Sequence, residues 1–221
     1  MTVTLNRLIR SKRRTIALIV ERDGSVTVRA PLKMSMKVIE EFVVKHADWV
    51  EKKQAEVANA VPEKTKQYQQ GERFLFLGQE YPLEIVKGTS KKLVMEDAFK
   101  LAESEQKNAE ILFRNWYRKQ AAKIIGERTA LFAERYQLPV GKIRITSART
   151  RWGSCSPKNT LSFSWRLVMT PLDVIDYVVI HELAHTVHHN HSKRFWTLVG
   201  TWMPDYKERR KRLRQYGQDV S

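Results

Sequence analysis

Val178-Val179-Ile180-His181-Glu182-Leu183-Ala184-His185-Thr186-Val187-His188-His189-Asn190-His191 carries five of the chain's six histidines and one carboxylate on a short, mostly apolar stretch. On an α-helix, residues four apart stand one turn above each other, so His181 and His185 can grip one ion. Glu182, next in sequence, points to the side, where a carboxylate can take a proton from water without becoming a ligand. This is the HExxH arrangement. A divalent metal on neutral imidazoles with an open position brings the pKa of its water down to about 7, which supplies hydroxide at neutral pH.

Two imidazoles are too few, so a third ligand is expected. His188 lies seven residues from His181, ~10 Å along an unbroken helix, and ranks second. His191 ranks first, provided the helix ends near His188 and the chain turns back. Asn190, which tolerates a positive φ, is the expected turning residue. Ser192 then caps a new helix through Phe195, Trp196 and Val199, expected to close over the site.

Outward from this helix, the segments Arg151-Trp152-Gly153-Ser154-Cys155-Ser156, Leu161-Ser162-Phe163-Ser164-Trp165-Arg166-Leu167, Asn190-His191-Ser192 and Phe195-Trp196 complete a pattern. With HELAH at its centre, it resembles the YgjP-like metallopeptidase family, related to SprT-type and WLM proteases, over nearly the whole chain. The resemblance implies a zincin-like catalytic domain with one Zn²⁺ on His181, His185 and His191, and Glu182 as base. It leaves the substrate open, because members are described both as peptidases and as nucleoside triphosphate pyrophosphatases acting on UTP.

The bounds from composition agree with a soluble enzyme. The 221 residues suffice for a substantial core, and 42% hydrophobic with 29% charged residues is ordinary for a globular protein. A single cysteine, Cys155, excludes an internal disulfide; with no signal-like N-terminus and no stretch long enough to span a bilayer, the expectation is a cytoplasmic protein without a membrane role. Forty Lys and Arg against 24 Asp and Glu leave a charge of +16, which attracts polyanions and makes non-specific nucleic-acid binding through a basic surface conceivable.

Along the chain, residues 15–21 and 25–30 flank Asp23-Gly24 as a hairpin, with Arg7, Arg10, Lys12, Arg13 and Arg14 on a solvated edge. One helix is expected from Ser35 through Val50, with His46 an ordinary member, then a polar linker over residues 58–73. Residues 74–77 and 81–86 read as strands joined by a type II′ turn at Gly78-Gln79, followed by strands at 92–95 and 99–102. Residues 107–136 form the longest helical pattern, with Ile111, Leu112, Trp116, Ile124, Leu131 and Phe132 on its apolar face. Strands at 142–147 and 161–165 flank a turn at 151–155, where Gly153 permits close backbone approach and Cys155 is no nucleophile. The second of these strands is expected to border the cleft and pair with an extended substrate.

Thr170 as cap, Pro171 and Asp173 suit the start of the active-site helix, and Asp173 or Asp176 is a candidate to orient an imidazole. The expected architecture is therefore α+β: an antiparallel β-rich part with a helix over residues 1–105, and a zincin-like metal-dependent hydrolase domain over 106–221. Arg151, Ser162, Ser164 and Arg166 are the candidates to bind substrate. The leading function is a zinc metallopeptidase acting on peptides or unfolded protein. A nucleotide pyrophosphohydrolase, and a nucleic-acid-associated module with a structural zinc, are the rivals.

Overall fold

The structure, a computed structural model, describes residues 4–21, 23–58 and 66–216. The chain divides into two compact units, Met1–Thr65 and Lys66–Ser221. The class is mixed α+β. No helix among the described residues is long and apolar enough to cross a membrane.

In the first unit β1 (Arg7–Ser11), β2 (Ala17–Val20) and β3 (Val26–Pro31) form a sheet of order β1-β3-β2. The β2–β3 hairpin is antiparallel and turns through Gly24 at a φ of 79°, while β1 lies parallel to β3. The antiparallel expectation thus covers only part of this sheet, because the link from β1 to β2 carries the chain across to the other side of β3. Arg10 is more than a solvated edge residue: its guanidinium donates to the carbonyls of Pro31, Leu32 and Met34 and pins the loop after β3.

The expected single helix is two, α1 (Met36–Lys45) and α2 (Ala47–Ala58), broken at His46, whose φ of −111° lies outside the helical region. Ser35 caps α1 by accepting from the Val38 N–H. Ile39 and Val43 of α1 pack with Val28 and Ala30 of the sheet, whereas Val38 and Trp49 are exposed. Residues 59–65 of the expected linker lie outside the described residues.

The second unit begins with β4 (Arg73–Phe76), β5 (Gln79–Val86), β6 (Leu93–Met95) and β7 (Phe99–Ala102), in the order β4-β5-β7-β6. Only β5 and β7 run parallel. The β4–β5 turn is Leu77-Gly78, both with positive φ (49° and 80°), which is the type I′ arrangement rather than the expected II′. Its tip is fastened: Leu77 N–H donates to Val168 O, Gly78 N–H donates to Met169 O, and a Cβ on Gly78 would stand 2.5 Å from Pro171 Cγ. Phe74, Leu83, Phe99 and Leu101 share one core with Phe113 and Tyr117 of the long helix. That shared core is why the chain divides at 65/66 and not where the β-rich sequence ends at 105.

Helix α3 (Ala109–Arg135) buries Ala109, Phe113, Tyr117, Ala121, Ile125, Thr129 and Phe132, leaving Ile111 and Leu131 about half exposed (51% and 47%). The inward face thus adds alanine, tyrosine and threonine to Phe113, Ile125 and Phe132, while Leu112, Trp116 and Ile124 of the expected stripe pack against the core partly buried, so the buried face is turned part of the way from that stripe. Three short strands follow: β8 (Ile143–Thr146), β9 (Gly153–Cys155) and β10 (Leu161–Ser164). Their order is β8-β10-β9, with β10 parallel to β8 and antiparallel to β9. Helices α4 (Leu172–Ala184), α5 (Lys193–Trp202) and α6 (Tyr206–Gln215) complete the unit.

Helix α4 is buried on nearly every side, as its run of Val and Ile requires. Asp176 holds it to α3 through a two-pronged pair with Arg128 (2.6 and 2.7 Å), and Asp173 holds it to α6 through Arg212. Thr170 does not cap α4; its hydroxyl donates to Leu167 O.

Candidate metal centre

Helix α4 ends at Ala184, earlier than expected, and His185 is its C-cap with φ −68°. The chain reverses through tight turns in which the N–H groups of Thr186, Val187 and His188 donate to Leu183 O and Ala184 O. Asn190 is not in the left-handed region, so no positive φ is needed at this turn. Ser192 then caps α5, accepting from the Phe195 N–H. This early stop brings His191 back over the helix end.

His191 Nε2 lies 3.0 Å from His181 Nε2 and 3.2 Å from His185 Nε2. One proton at most can sit in such a cluster of three neutral rings, and a ring nitrogen meeting two others cannot be satisfied by hydrogen bonds alone. His185 Nδ1 is 3.0 Å from His188 O; a carbonyl only accepts, so Nδ1 carries the proton and Nε2 presents a lone pair to the cluster. His181 is 1% exposed and its Nδ1 has no hydrogen-bond partner. Burial lowers the pKa of all three rings; neighbouring imidazoles lower those of His181 and His185 further, and Arg210 those of His181 and His191. Three neutral donors about 3.3 Å apart are what a tetrahedral zinc with bonds of about 2.0 Å requires. The residues present therefore suit a divalent ion, and they form the one such group of three among the described residues.

Phe195 of α5 covers the cluster, its ring 4.5 to 5.0 Å from all three imidazoles. Trp196 stacks on His191 and is itself stacked by Tyr206 and overlaid by Arg210. His188 supplies only its carbonyl. Asp173 and Asp176, the candidates to orient an imidazole, are engaged by arginines instead. Arg128 and Arg210 escaped sequence reasoning because they lie far along the chain from the helix they serve, and no local pattern marks them.

Glu182 is 2% exposed, its Oε2 has no hydrogen-bond partner, and burial pushes its pKa up to about 8, opposed in part by Arg151. Strand β9 makes room for it. A Cβ on Gly153 would lie 2.4 Å from Glu182 Oε1 and 2.7 Å from Cδ. The φ of Gly153 is not positive, so space and not backbone freedom demands glycine here. Gly153→Ala is expected to shift the carboxylate or β9 by about an ångström and lower turnover about a hundredfold, with zinc content unchanged. Steady-state kinetics beside metal analysis checks this, and full activity in the variant would contradict the fit.

Residues 151–155, expected as a turn, thus include the edge strand of the sheet. Ser164 N–H donates to Trp152 O and Ser156 N–H to Thr160 O, so the alternation of an antiparallel ladder turns the N–H and C=O of Gly153 and Cys155 away from β10. No described strand pairs with that side. Strand β10 is flanked on both sides and cannot take a substrate strand, contrary to expectation. Ser164 is fully buried and donates to Ala148 O, and Ser162 faces Ser154 across the ladder, so neither is placed to meet substrate through an open edge. Arg166 lies over Trp165 and donates to Ser147 O, whereas Arg151 is exposed and interacts electrostatically with Glu182. Burial, with Glu182 adding to it, pushes the Cys155 thiol up to about 11, which leaves it protonated and a poor nucleophile.

Opposing proton preferences set the pH behaviour of the metal-free protein. The unfolded chain protonates its histidines as pH falls through 6.5 while these three folded rings resist, so stability is lost on acidification. Glu182 runs the other way: unfolded it ionises near 4.5, folded it keeps its proton to about 8, and stability is lost as pH rises between them. Three groups against one place the maximum near neutrality. Denaturant melts of chelated protein at about pH 5, 7 and 9 check it, and stability increasing steadily down to the lowest pH would contradict it.

The family described as "YgjP-like, metallopeptidase domain" matches residues 14–216. Among solved structures, a crystal structure of the metallopeptidase zymogen of Pyrococcus abyssi abylysin is similar, at 25% identity and a TM-score of 0.36, over 48% of this chain and 98% of that one. No curated protein matches.

Proposed function

This chain belongs to the YgjP-like metallopeptidase family, and we propose that it is a zinc-dependent peptidase whose ion is held by His181, His185 and His191. When bound, a zinc ion polarises a carbonyl oxygen and makes water acidic enough to give up a proton near neutral pH. Glu182 receives that proton. Its enclosure against Gly153 suits the task, because a carboxylate with a pKa drawn toward neutrality can accept a proton and later return it to the leaving amine. Phe195 excludes water from one side of the imidazole cluster.

The open edge of β9 lays an extended peptide beside Glu182, through the outward main-chain groups of Gly153 and Cys155. A peptide backbone offers both donors and acceptors to such an edge, which a phosphate chain does not. The observation that carries the reading is the meeting of the three Nε2 atoms at 3.0 and 3.2 Å, next to a carboxylate with no partner on Oε2. Incubating the zinc-loaded chain with unfolded protein and short fluorogenic peptides tests it. Cleavage that disappears on chelation and returns with zinc is expected; zinc-loaded protein inert toward every peptide, yet releasing phosphate from a nucleotide, would overturn it.

A further inference from the structure

From residue 135 to residue 204, the stretch that supplies the sheet, α4 and α5, only three acidic residues occur: Asp173, Asp176 and Glu182. Asp173 is paired with Arg212, Asp176 with Arg128, and Glu182 is buried at the site. The same stretch carries nine Lys and Arg. The stretch therefore carries a formal charge of +6, nine minus three, and each of its carboxylates is paired or buried.

Cationic residues flank the imidazole cluster in sequence and structure on two segments, the loop into β9 and the start of α5. On the β9 side Arg151 is exposed next to Glu182, on the loop that leads into the open edge. Arg118 and Arg166 brace that loop, donating to Ser147 Oγ and Ile145 O and to Ser147 O respectively. On α5 a groove of about 540 Å³ is lined by His188, Lys193, Arg194, Thr197, Leu198 and Thr201. His188, whose carbonyl meets His185 Nδ1, is one of its lining residues. No carboxylate lines it, and Leu198 adds an apolar wall between two hydroxyls.

We propose that the site selects acidic peptides, with substrate carboxylates held by Arg151 on the β9 side and by Lys193 and Arg194 in the groove beside His188. This rests on the peptidase reading, which it narrows to a substrate class. Main-chain pairing along β9 supplies register without regard to sequence, and the cationic flanks supply the discrimination. A nucleic acid would meet the same charges, but its phosphate backbone only accepts hydrogen bonds and brings no regularly spaced donors to the outward C=O groups of a strand edge.

The test uses the zinc-loaded full chain carrying Glu182→Gln, so that binding is read apart from turnover. Fluorescent peptides of one length and one apolar centre carry flanking Glu, Gln or Lys, and a single-stranded oligonucleotide serves as a further probe. The acidic peptide is expected to bind about tenfold tighter than the neutral one at low salt, the sum of a few exposed charge pairs, with the advantage shrinking from roughly 50 to 200 mM salt. Charge reversal by Lys193→Glu with Arg194→Glu, or by Arg151→Glu, is expected to remove most of that advantage. Equal affinity for acidic and neutral peptides, an advantage that survives all three reversals, or tighter binding of the oligonucleotide would each overturn the proposal. Wild-type turnover separates the two readings: peptides cleaved without acidic preference remove the substrate class alone, whereas acidic peptides bound selectively but never cleaved remove the peptidase.

Discussion

Replacing His191 by alanine is expected to weaken zinc binding about a thousandfold, while His188→Ala leaves it within about tenfold of wild type. If three imidazoles share a binding free energy of about 12 kcal/mol, one of them carries about 4, which is three decades in affinity. His191 meets both other Nε2 atoms, so its loss leaves a pair that cannot complete a tetrahedral set. His188 contributes a carbonyl to His185 Nδ1, and alanine keeps that carbonyl. Metal analysis after dialysis against graded chelator reads the difference. A larger loss in His188→Ala than in His191→Ala would mean that His188, and not the returning ring, completes the site.

Glu182→Gln is expected to cut peptide turnover by about a hundredfold to ten-thousandfold with zinc still bound, the range for removing a general base. Glutamine has the same shape, so it can enter the space left by Gly153, and its amide cannot accept the proton. Zinc is retained because the three converging donors are all histidines. The same substitution should also flatten the loss of stability of metal-free protein as pH rises from neutrality toward about 8, since glutamine does not ionise and only the histidine contribution on the acid side remains. This second readout is independent of any substrate. A variant that keeps full turnover, or that loses zinc along with activity, would contradict the role given to the carboxylate.

Much of the centre was legible from spacing. The 3.6-residue period puts His181 and His185 on one face, and Ser192 marked the new helix that α5 proves to be. Turn details were legible less far. Asn190 looked necessary because a helix continuing to His188 would have needed a sharp reversal; the helix stops at Ala184 and ordinary turns suffice. Likewise the longest helix faces inward through Tyr117, Ala121 and Thr129, because what is buried depends on the neighbour it packs against as well as on its own polarity.

By itself the sequence determined the α+β class, the HExxH helix and its ligand candidates, since these rest on local periodicity and on the chemistry of residues a few positions apart. Tertiary structure alone decided which strand is the edge. Alternation tells which face a side chain takes but not whether a strand has one neighbour or two, so β10 looked available and β9 looked like a turn. The seat of Glu182 against Gly153, the Arg128–Asp176 pair and the sharing of one core by the middle sheet and α3 likewise join residues far apart in the chain. Contacts of that range are set by how whole elements pack, and no local pattern encodes them.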